Sequence, residues 1–372
     1  MIPIYEPYLP KHVLKHAHNA LDSKWISSHG KYIEKTEELL REINQCKHVI
    51  LTNNGTSATH LVSIGLQHKH PQLKTLLVPN SVYVAAWNSF KMSEDFDFRL
   101  LPVNSDTWNA EYEKAIDLEI NLKDFVQSLD HAREIGVLVV HNIGNIVNVP
   151  ALKKLFDDDR VIFVEDNCEG FLGSYEGVPT GSESLLSSVS FFGNKTLTSG
   201  EGGALFTDDD DLYSHLNSVK NQGHASKNYV FDKLGYNYRM TNVQAAILFG
   251  QLSCASEIID RKKTIFELYR KYLSSVDEVK LQEEESNTSH SNWMFAIKTQ
   301  AKACDLQLHL YRNKVDSRSM FPPINHHDHY QHFASDPIAS ELHDHVIMLP
   351  SFPTMTSKDV MYICNQVKNF FK

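Results

Sequence analysis

Residues 190–203 read SFFGNKTLTSGEGG, and this stretch decides the fold class that the sequence predicts. An apolar, strand-like run over residues 185–192 ends here in a polar, glycine-rich turn that carries one lysine, Lys195. A lysine held in such a turn can lose its proton by desolvation and attack a carbonyl carbon as a neutral amine. The pattern therefore predicts a nucleophile just past the end of a strand.

A second strand-like run, VIFVEDNCEG over residues 161–170, ends in two carboxylates, Glu165 and Asp166. An amine and an aspartate at the ends of neighbouring strands match the needs of pyridoxal 5'-phosphate (PLP). The lysine forms a Schiff base with the cofactor, and the aspartate keeps the pyridine nitrogen protonated so that the ring accepts electrons. Taken alone, a lysine in a glycine-rich loop is usually a solvated surface lysine. A Walker A phosphate loop is a poor match, because it needs glycine where this chain has Asn194.

Two further stretches suit a phosphorylated cofactor. Residues 48–66, HVILTNNGTSATHLVSIGL, predict a strand, a small polar turn and a helix. Gly55, Thr56 and Ser57 would lie at the helix N-terminus, where free N–H groups and the dipole bind phosphate, or would simply cap the helix. Residues 75–90, TLLVPNSVYVAAWNSF, place Tyr83 after another strand, either to stack on a cofactor ring or as ordinary core.

The order of patterns along the chain predicts an α/β fold. Apolar strand runs alternate with helical patterns such as residues 32–43, which favours a mostly parallel sheet covered by helices on both faces. We expect a long helix over residues 243–272 to connect a large domain, residues 1–250, to a small one, residues 251–372. The strand runs are residues 49–52, 76–79, 136–140, 161–164 and 186–192.

Composition excludes several classes of protein. A net charge of -10 gives no support to nucleic-acid binding. Five cysteines without a CxxC pair indicate reduced thiols, and the start MIPIYEPYLP lacks the features of a secretory signal. No apolar run is long enough for a membrane span, so we expect a cytoplasmic protein without nucleic-acid or membrane partners. Residues 324–333, INHHDHYQHF, carry four histidines but lack a closed zinc spacing, so no metal is predicted.

Seven stretches in chain order resemble the DegT/DnrJ/EryC1/StrS family of PLP-dependent sugar aminotransferases, and together they cover nearly the whole chain. The resemblance implies a PLP-dependent transferase of fold type I, like aspartate aminotransferase, with a mostly parallel large domain and a small C-terminal α+β domain. The stretches are WISSHGKYIEKTEELL from Trp25, NNGTSATHL from Asn53, VVHNIGN from Val139, VEDNCEGFLGSYEGVPTGS from Val164, SFFGNKTLTSGEGG from Ser190, GYNYRMTNVQAAILFGQL from Gly235 and MLPSFPTMT from Met348.

The resemblance also implies a role for each matching residue. Lys195 would be the Schiff-base lysine, Asp166 the partner of the pyridine nitrogen and Tyr83 the stacking aromatic. The other cofactor-binding residues would be Gly55, Thr56, Ser57, Glu169 near the ring hydroxyl, Ser190, and Asn237 reaching the phosphate of the neighbouring subunit in a homodimer with shared active sites. The implied substrate-binding residues are Trp25, Ser27, Ser28, Arg239 and Arg318.

Within the family, WISS, SFFGNK and GYNYRMTN are most similar to the branch that aminates C4 of GDP-4-keto-6-deoxymannose with L-glutamate as donor. The sugar-contacting stretch, residues 317–325, has Pro322 and Asn325 where that branch has two histidines. UDP- or TDP-4-keto-6-deoxyglucose therefore stays open as the substrate of a viosamine-type 4-aminotransferase. A non-catalytic binding or regulatory relative is the other alternative. It would lack the visible colour of a lysine-bound cofactor, and retention of Lys195 with Asp166 favours the enzyme.

Overall fold

A computed structural model describes residues 1–93, 96–118, 120–130, 132–225 and 229–372. The helices are α1 Lys11–Asp22, α2 Lys31–Asn44, α3 Gly55–Lys69, α4 Ala85–Lys91, α5 Leu122–Ser128, α6 Val149–Phe156, α7 Asp210–Lys220, α8 Asn242–Leu252, α9 Ala255–Leu273, α10 Ala303–Arg312, α11 Pro337–His345 and α12 Ser357–Phe370. The strands are β1 His48–Thr52, β2 Thr75–Pro79, β3 Asp97–Leu101, β4 Ile135–Val140, β5 Val161–Asp166, β6 Ser174–Tyr175, β7 Val178–Pro179, β8 Leu186–Ser190, β9 Gly203–Thr207, β10 Val279–Leu281, β11 Thr288–Ser289, β12 Phe295–Thr299, β13 Arg318–Ser319 and β14 Val346–Leu349.

A seven-stranded sheet with the order β1-β9-β8-β5-β4-β2-β3 forms the centre of the molecule. Its middle strands pair in parallel, whereas β9 runs antiparallel between β1 and β8. Alternate residues of β4 enter different clusters of buried side chains: Leu138 and Val140 pack in one, Val137 and Val139 in another. Because successive side chains of a strand point to opposite faces, both faces of the sheet are covered. The predicted α/β class with a mostly parallel sheet is confirmed, and every predicted strand run is observed to within two residues.

A second, four-stranded antiparallel sheet has the order β10-β12-β14-β13. Apolar side chains from α9, α10 and α12 pack with this sheet in a cluster of their own, which includes Phe266, Leu310 and Ile363. The predicted domain boundary after residue 250 falls near the end of α8 and stays a prediction. A small three-stranded sheet, β11-β6-β7, completes the described strands.

The prediction of one continuous helix over residues 243–272 is wrong. The chain leaves the helical conformation at Cys254, with φ -123° and ψ 23°, and α9 begins at the next residue. The bend lets the start of α9, at Ile258, stay in the cluster beside the central sheet with Leu248 of α8. Further along α9, Phe266 is buried in the cluster of the second sheet. In the described part of the chain, no helix is long and apolar enough to cross a membrane.

Candidate active site

A cavity of about 360 Å³ lies where several strands of the central sheet end. This volume falls within the range of pockets that bind small molecules, and the carboxyl ends of parallel strands are where such pockets form. Its walls combine a few polar groups with apolar and aromatic side chains. They are Asn54, Gly55, Thr56, Thr59, Tyr83, Ala85, Ala86, Val140, Asp166, Cys168, Glu169, Ser190, Phe192, Asn194, Lys195, Glu201, Trp293, Met294, Arg318, Phe321 and Met348.

Lys195 lies in the loop that connects β8 to β9. Two side chains from distant parts of the sequence hold the backbone of this loop. Tyr5 Oη donates a hydrogen bond to the carbonyl oxygen of Lys195 (2.7 Å), and Trp293 Nε1 donates to that of Asn194 (3.0 Å). The amine Nζ of Lys195 lies 4.1 Å from the centroid of the Trp293 ring. Both the backbone and the side chain of the predicted nucleophile therefore have defined neighbours.

Asp166, the last residue of β5, points a carboxylate into the cavity with 7% of its surface exposed. Its Oδ1 accepts the backbone N–H of Cys168 (3.0 Å), which orients the group. The preceding residue, Glu165, is fully buried, and its Oε2 accepts hydrogen bonds from His141 Nε2 (2.9 Å) and the Gly181 N–H (3.0 Å). The alternation of side chains along a strand therefore selects Asp166, not Glu165, for the cavity.

Glu169 supplies a second carboxyl group. Its Oε2 accepts the N–H of Ile143 (2.8 Å), a residue with φ of 60°. Burial raises the pKa of Glu169 to about 7, against the opposing effect of the positive charge on Lys195. Near neutral pH this carboxyl group is protonated in a large share of molecules, so it can donate a hydrogen bond to an oxygen of a ligand.

The N-terminus of α3 forms one wall of the cavity. Asn54 caps the helix, because its side chain accepts the N–H of Ser57 (2.8 Å). Gly55 and Thr56 line the cavity, and first-turn N–H groups have no partner within a helix. A Cβ atom on Gly55 would lie 2.6 Å from the Cβ of Ser190, so only glycine allows this close approach. The start of α3 and the hydroxyl group of Ser190 together form a site suited to an anion.

Tyr83 and Arg318, two predicted site residues, also line the cavity. Tyr83 has 58% of its surface exposed and meets the ring of Phe321 edge-on, with centroids 5.7 Å apart. Arg318 begins β13 at the edge of the second sheet, so that sheet contributes a cation to the cavity. Ser57 is buried behind this surface and, among the described residues, lies outside the lining set.

Besides Ser57, five predicted site residues lie outside the cavity of their own chain, within the part that the structure describes: Trp25, Ser27, Ser28, Asn237 and Arg239. The segments that carry them are joined by Asn242, whose Nδ2 donates to the Trp25 carbonyl and whose N–H donates to that of Ser27, both at 2.6 Å. Trp25, Ser27 and Asn237 are exposed. These residues therefore belong to connected surface segments and not to the cavity wall.

Trp293 and Met348 of the cavity wall, and Tyr5 behind the Lys195 loop, were not among the predicted site residues. Trp293 lies more than ninety positions from Lys195, and a tryptophan just before the strand Phe295–Thr299 was the available signal. The histidine-rich segment packs through Ile324 and Tyr330, both buried. Among described residues, no group of three or more His, Cys, Asp or Glu side chains is placed to hold a metal ion.

Comparison with known proteins adds independent evidence. The model of the DegT/DnrJ/EryC1/StrS aminotransferase family matches residues 7–368. GDP-perosamine synthase of Escherichia coli O157:H7 is 32% identical over 100% of this chain and 98% of its own length, and that of Vibrio cholerae is 33% identical over 100% and 99%. A Helicobacter pylori aminotransferase of pseudoaminic acid biosynthesis shares the fold, with a TM-score of 0.89 and 20% identity over 100% of this chain and 99% of its own.

Proposed function

Because the chain belongs to the DegT/DnrJ/EryC1/StrS aminotransferase family, whose members use pyridoxal phosphate, we propose that it transfers the amino group of L-glutamate to C4 of GDP-4-keto-6-deoxymannose. The observation that carries this proposal is the meeting of Lys195, Asp166 and the start of α3 in one cavity. The choice of a GDP-linked sugar is supported by the names of two relatives that align with the whole chain.

The residues of the cavity fit the cofactor. The start of α3 with Ser190 suits its phosphate, the Asp166 carboxylate suits a protonated ring nitrogen, and Tyr83 can stack on the ring. When bound, pyridoxal phosphate supplies an aldehyde that takes up the amino group and a ring that accepts electron density. Glu169, with its raised pKa, can donate a hydrogen bond to the ring hydroxyl. Lys195 would bind the aldehyde carbon and then move a proton between Cα of the donor and C4' of the cofactor.

The proposed phosphate site predicts the effect of Gly55→Ala. The new Cβ would lie 2.6 Å from Ser190 Cβ and 3.1 Å from its Cα, so the serine and the helix start must move apart. We expect the dissociation constant of pyridoxal phosphate to rise about tenfold or more, since overpacking of this kind costs about 1–3 kcal/mol. Titration of the apoenzyme with cofactor, followed by visible absorbance, measures this constant.

Gly193→Ala is the matched control, because it adds the same methyl group in the Lys195 loop. A Cβ there would meet its nearest neighbour, the Gly200 carbonyl oxygen, at 3.9 Å, which is ordinary contact. We expect cofactor affinity to stay within about twofold of wild type, as for other unstrained surface changes. Equal losses in both variants would contradict the assignment of the phosphate to α3 and Ser190.

The substrate is tested with a panel of nucleotide-linked 4-keto-6-deoxy sugars, GDP-mannose-, UDP-glucose- and TDP-glucose-derived, each with L-glutamate as donor. We expect amination of the GDP-linked sugar with the highest kcat/KM, and formation of 2-oxoglutarate in equal amount. Preference for the UDP or TDP sugar would overturn the choice of nucleotide. Purified protein that neither binds pyridoxal phosphate nor turns over any sugar would favour the non-catalytic alternative.

We also propose that the active unit is a homodimer with shared sites. An exposed apolar segment lies near Asn237 in sequence: Tyr229 has 90% and Leu234 84% of its surface exposed. Contiguous exposed apolar surface of this kind usually marks an interface. Asn237 is itself exposed, and the Trp25 segment lies beside it through Asn242. In a two-fold dimer, both segments would reach the cavity of the partner subunit.

Complementation tests the shared site. In a mixed dimer of Lys195→Ala and Asn237→Ala chains, one site carries both defects and the other carries neither. Random mixing makes half the dimers mixed with half their sites intact, so we expect about a quarter of wild-type activity, well above Lys195→Ala alone. Activity is measured after unfolding and refolding the mixture. Mixed dimers that form, detected by mass, without a gain over the average of the parents would exclude the shared site.

A further inference from the structure

Lys262, on α9, is a lysine with no exposed surface. Its Nζ donates hydrogen bonds to two backbone carbonyl oxygens, those of Trp293 and Ser351, both at 2.8 Å. The same Nζ lies 5.2 Å from the centroid of the Tyr5 ring. One buried amine thus joins three segments that are far apart in sequence: the N-terminal segment, the approach to β12 and the exit from β14.

Two of these three segments are the ones that hold the Lys195 loop. Tyr5 Oη donates to the carbonyl oxygen of Lys195, and Trp293 Nε1 donates to that of Asn194. Trp293 also presents its ring to the amine of Lys195, at 4.1 Å. Tyr5 and Trp293, which hold the Lys195 loop, are therefore both neighbours of Lys262.

We propose that Lys262 is a positioning residue for Lys195: by fixing Trp293 and Tyr5, it sets the place of the reacting amine without touching it. This inference rests on Lys195 being the lysine that binds the cofactor. A misplacement of about 1 Å in a reacting group can lower turnover a hundredfold, so a remote lysine can have a large effect.

The charge environment of Lys262 supports a role beyond ordinary packing. Burial lowers the pKa of Lys262 to about 7, and no carboxylate among the described residues offsets that effect. Tyr5 presents its ring to the Lys262 amine, and the charge of Lys262 acts on His290. Burial and the positive charges of Arg270 and Lys262 lower the pKa of His290 to about 3, so this ring is neutral and offers no compensating charge. Burial of this amine costs desolvation free energy. An apolar side chain would avoid that cost but could not donate hydrogen bonds to the carbonyl groups of Trp293 and Ser351.

The test is a double-mutant cycle on the holoenzyme with Lys262→Met and Tyr5→Phe. Methionine keeps most of the length but donates no hydrogen bond, and phenylalanine keeps the ring but loses the bond to Lys195. We expect Lys262→Met to lower kcat about tenfold or more, with the KM of the sugar nucleotide within twofold. The pH titration of the visible band of the Lys195-bound cofactor should shift by at least about half a unit. The double variant should lose little more than Lys262→Met, because both changes release the same loop.

Tyr269→Phe is the matched control, since it removes another buried hydrogen bond of α9, from Tyr269 Oη to the Pro350 carbonyl (2.7 Å). It should lower the melting temperature but leave kcat and the band titration unchanged. If Lys262→Met chains do not fold, Lys262→Gln replaces them in the same cycle. Independent effects of the two substitutions, or a kcat and titration equal to those of Tyr269→Phe, would overturn the inference. Borohydride reduction of the wild-type holoenzyme, with mass analysis of the Lys195 peptide, separates this failure from failure of the proposed function.

Discussion

Lys195→Ala is expected to lower turnover by about 10³-fold or more while leaving the protein folded. The substitution removes the amine that we propose binds the cofactor aldehyde and moves the proton, and a positioned acid or base alone contributes about 10²- to 10⁴-fold. The proposed phosphate site at α3 and Ser190 is unchanged, so pyridoxal phosphate should still bind without a covalent link. Turnover is measured with glutamate and the GDP-linked sugar, and the link by borohydride reduction followed by mass spectrometry.

Lys47→Ala serves as the control for the loss of a lysine. Lys47 is exposed and pairs with Asp210 at the surface, so its removal should leave turnover and the borohydride product unchanged. Near-normal turnover in Lys195→Ala, or reduction that attaches the cofactor to a different lysine in the wild type, would contradict the assignment.

Asp166→Asn is expected to fold normally and to lower the rate of the glutamate half-reaction about 10- to 1000-fold. A carboxylate beside the ring nitrogen raises the pKa of that nitrogen by about one to three units, and asparagine removes this effect. Asparagine Oδ1 can still accept the Cys168 N–H, so the end of β5 should keep its shape. Because acid restores the proton on the nitrogen, the difference in rate between Asp166→Asn and wild type should become smaller as pH falls. Stopped-flow absorbance from pH 9 to 6 follows this trend.

The neighbouring Glu165→Gln provides the matched control. Glu165 is hydrogen-bonded to His141 and Gly181 away from the cavity. Its neutralisation should therefore lower the melting temperature while leaving the rate of the half-reaction close to that of wild type. A wild-type rate in Asp166→Asn, or a larger loss of rate in Glu165→Gln, would contradict the proposal that Asp166 is the partner of the ring nitrogen.

Local pattern carried much of the fold prediction. Apolar runs such as residues 136–140 identify strands because parallel strands buried on both faces read as continuous apolar segments. The break at Cys254 escaped the same reasoning, because no proline and no glycine near it marks a helix end, and the bend is visible only in the backbone angles of Cys254. Periodicity reports which residues are buried, but not in which core.

Residues of the candidate site also fall into those that local pattern predicted and those that it did not. Asp166, Ser190 and Lys195 could be predicted because the first two end strands and the third follows one, at the edge where side chains of an α/β protein converge. Tyr5 and Trp293 could not, because their contacts with the Lys195 loop join residues 190 and 99 positions apart. The implied positions of Asn237 and Trp25 came from resemblance, and their place outside the cavity of their own chain leaves them to the dimer proposal.

The position of β9 has a consequence for how the molecule fluctuates. Ser190 and Gly203 pair directly across the ladder at the base of the Lys195 loop, and both β8 and β9 are interior strands of the sheet. An edge hairpin can fray by itself, whereas separating β8 from β9 breaks a ladder between two strands that each have a second partner, β5 and β1. Both ends of the loop that carries Lys195 are therefore held by strands that pair on two sides, which favours a fixed position for this amine against the local fluctuations that loosen surface loops.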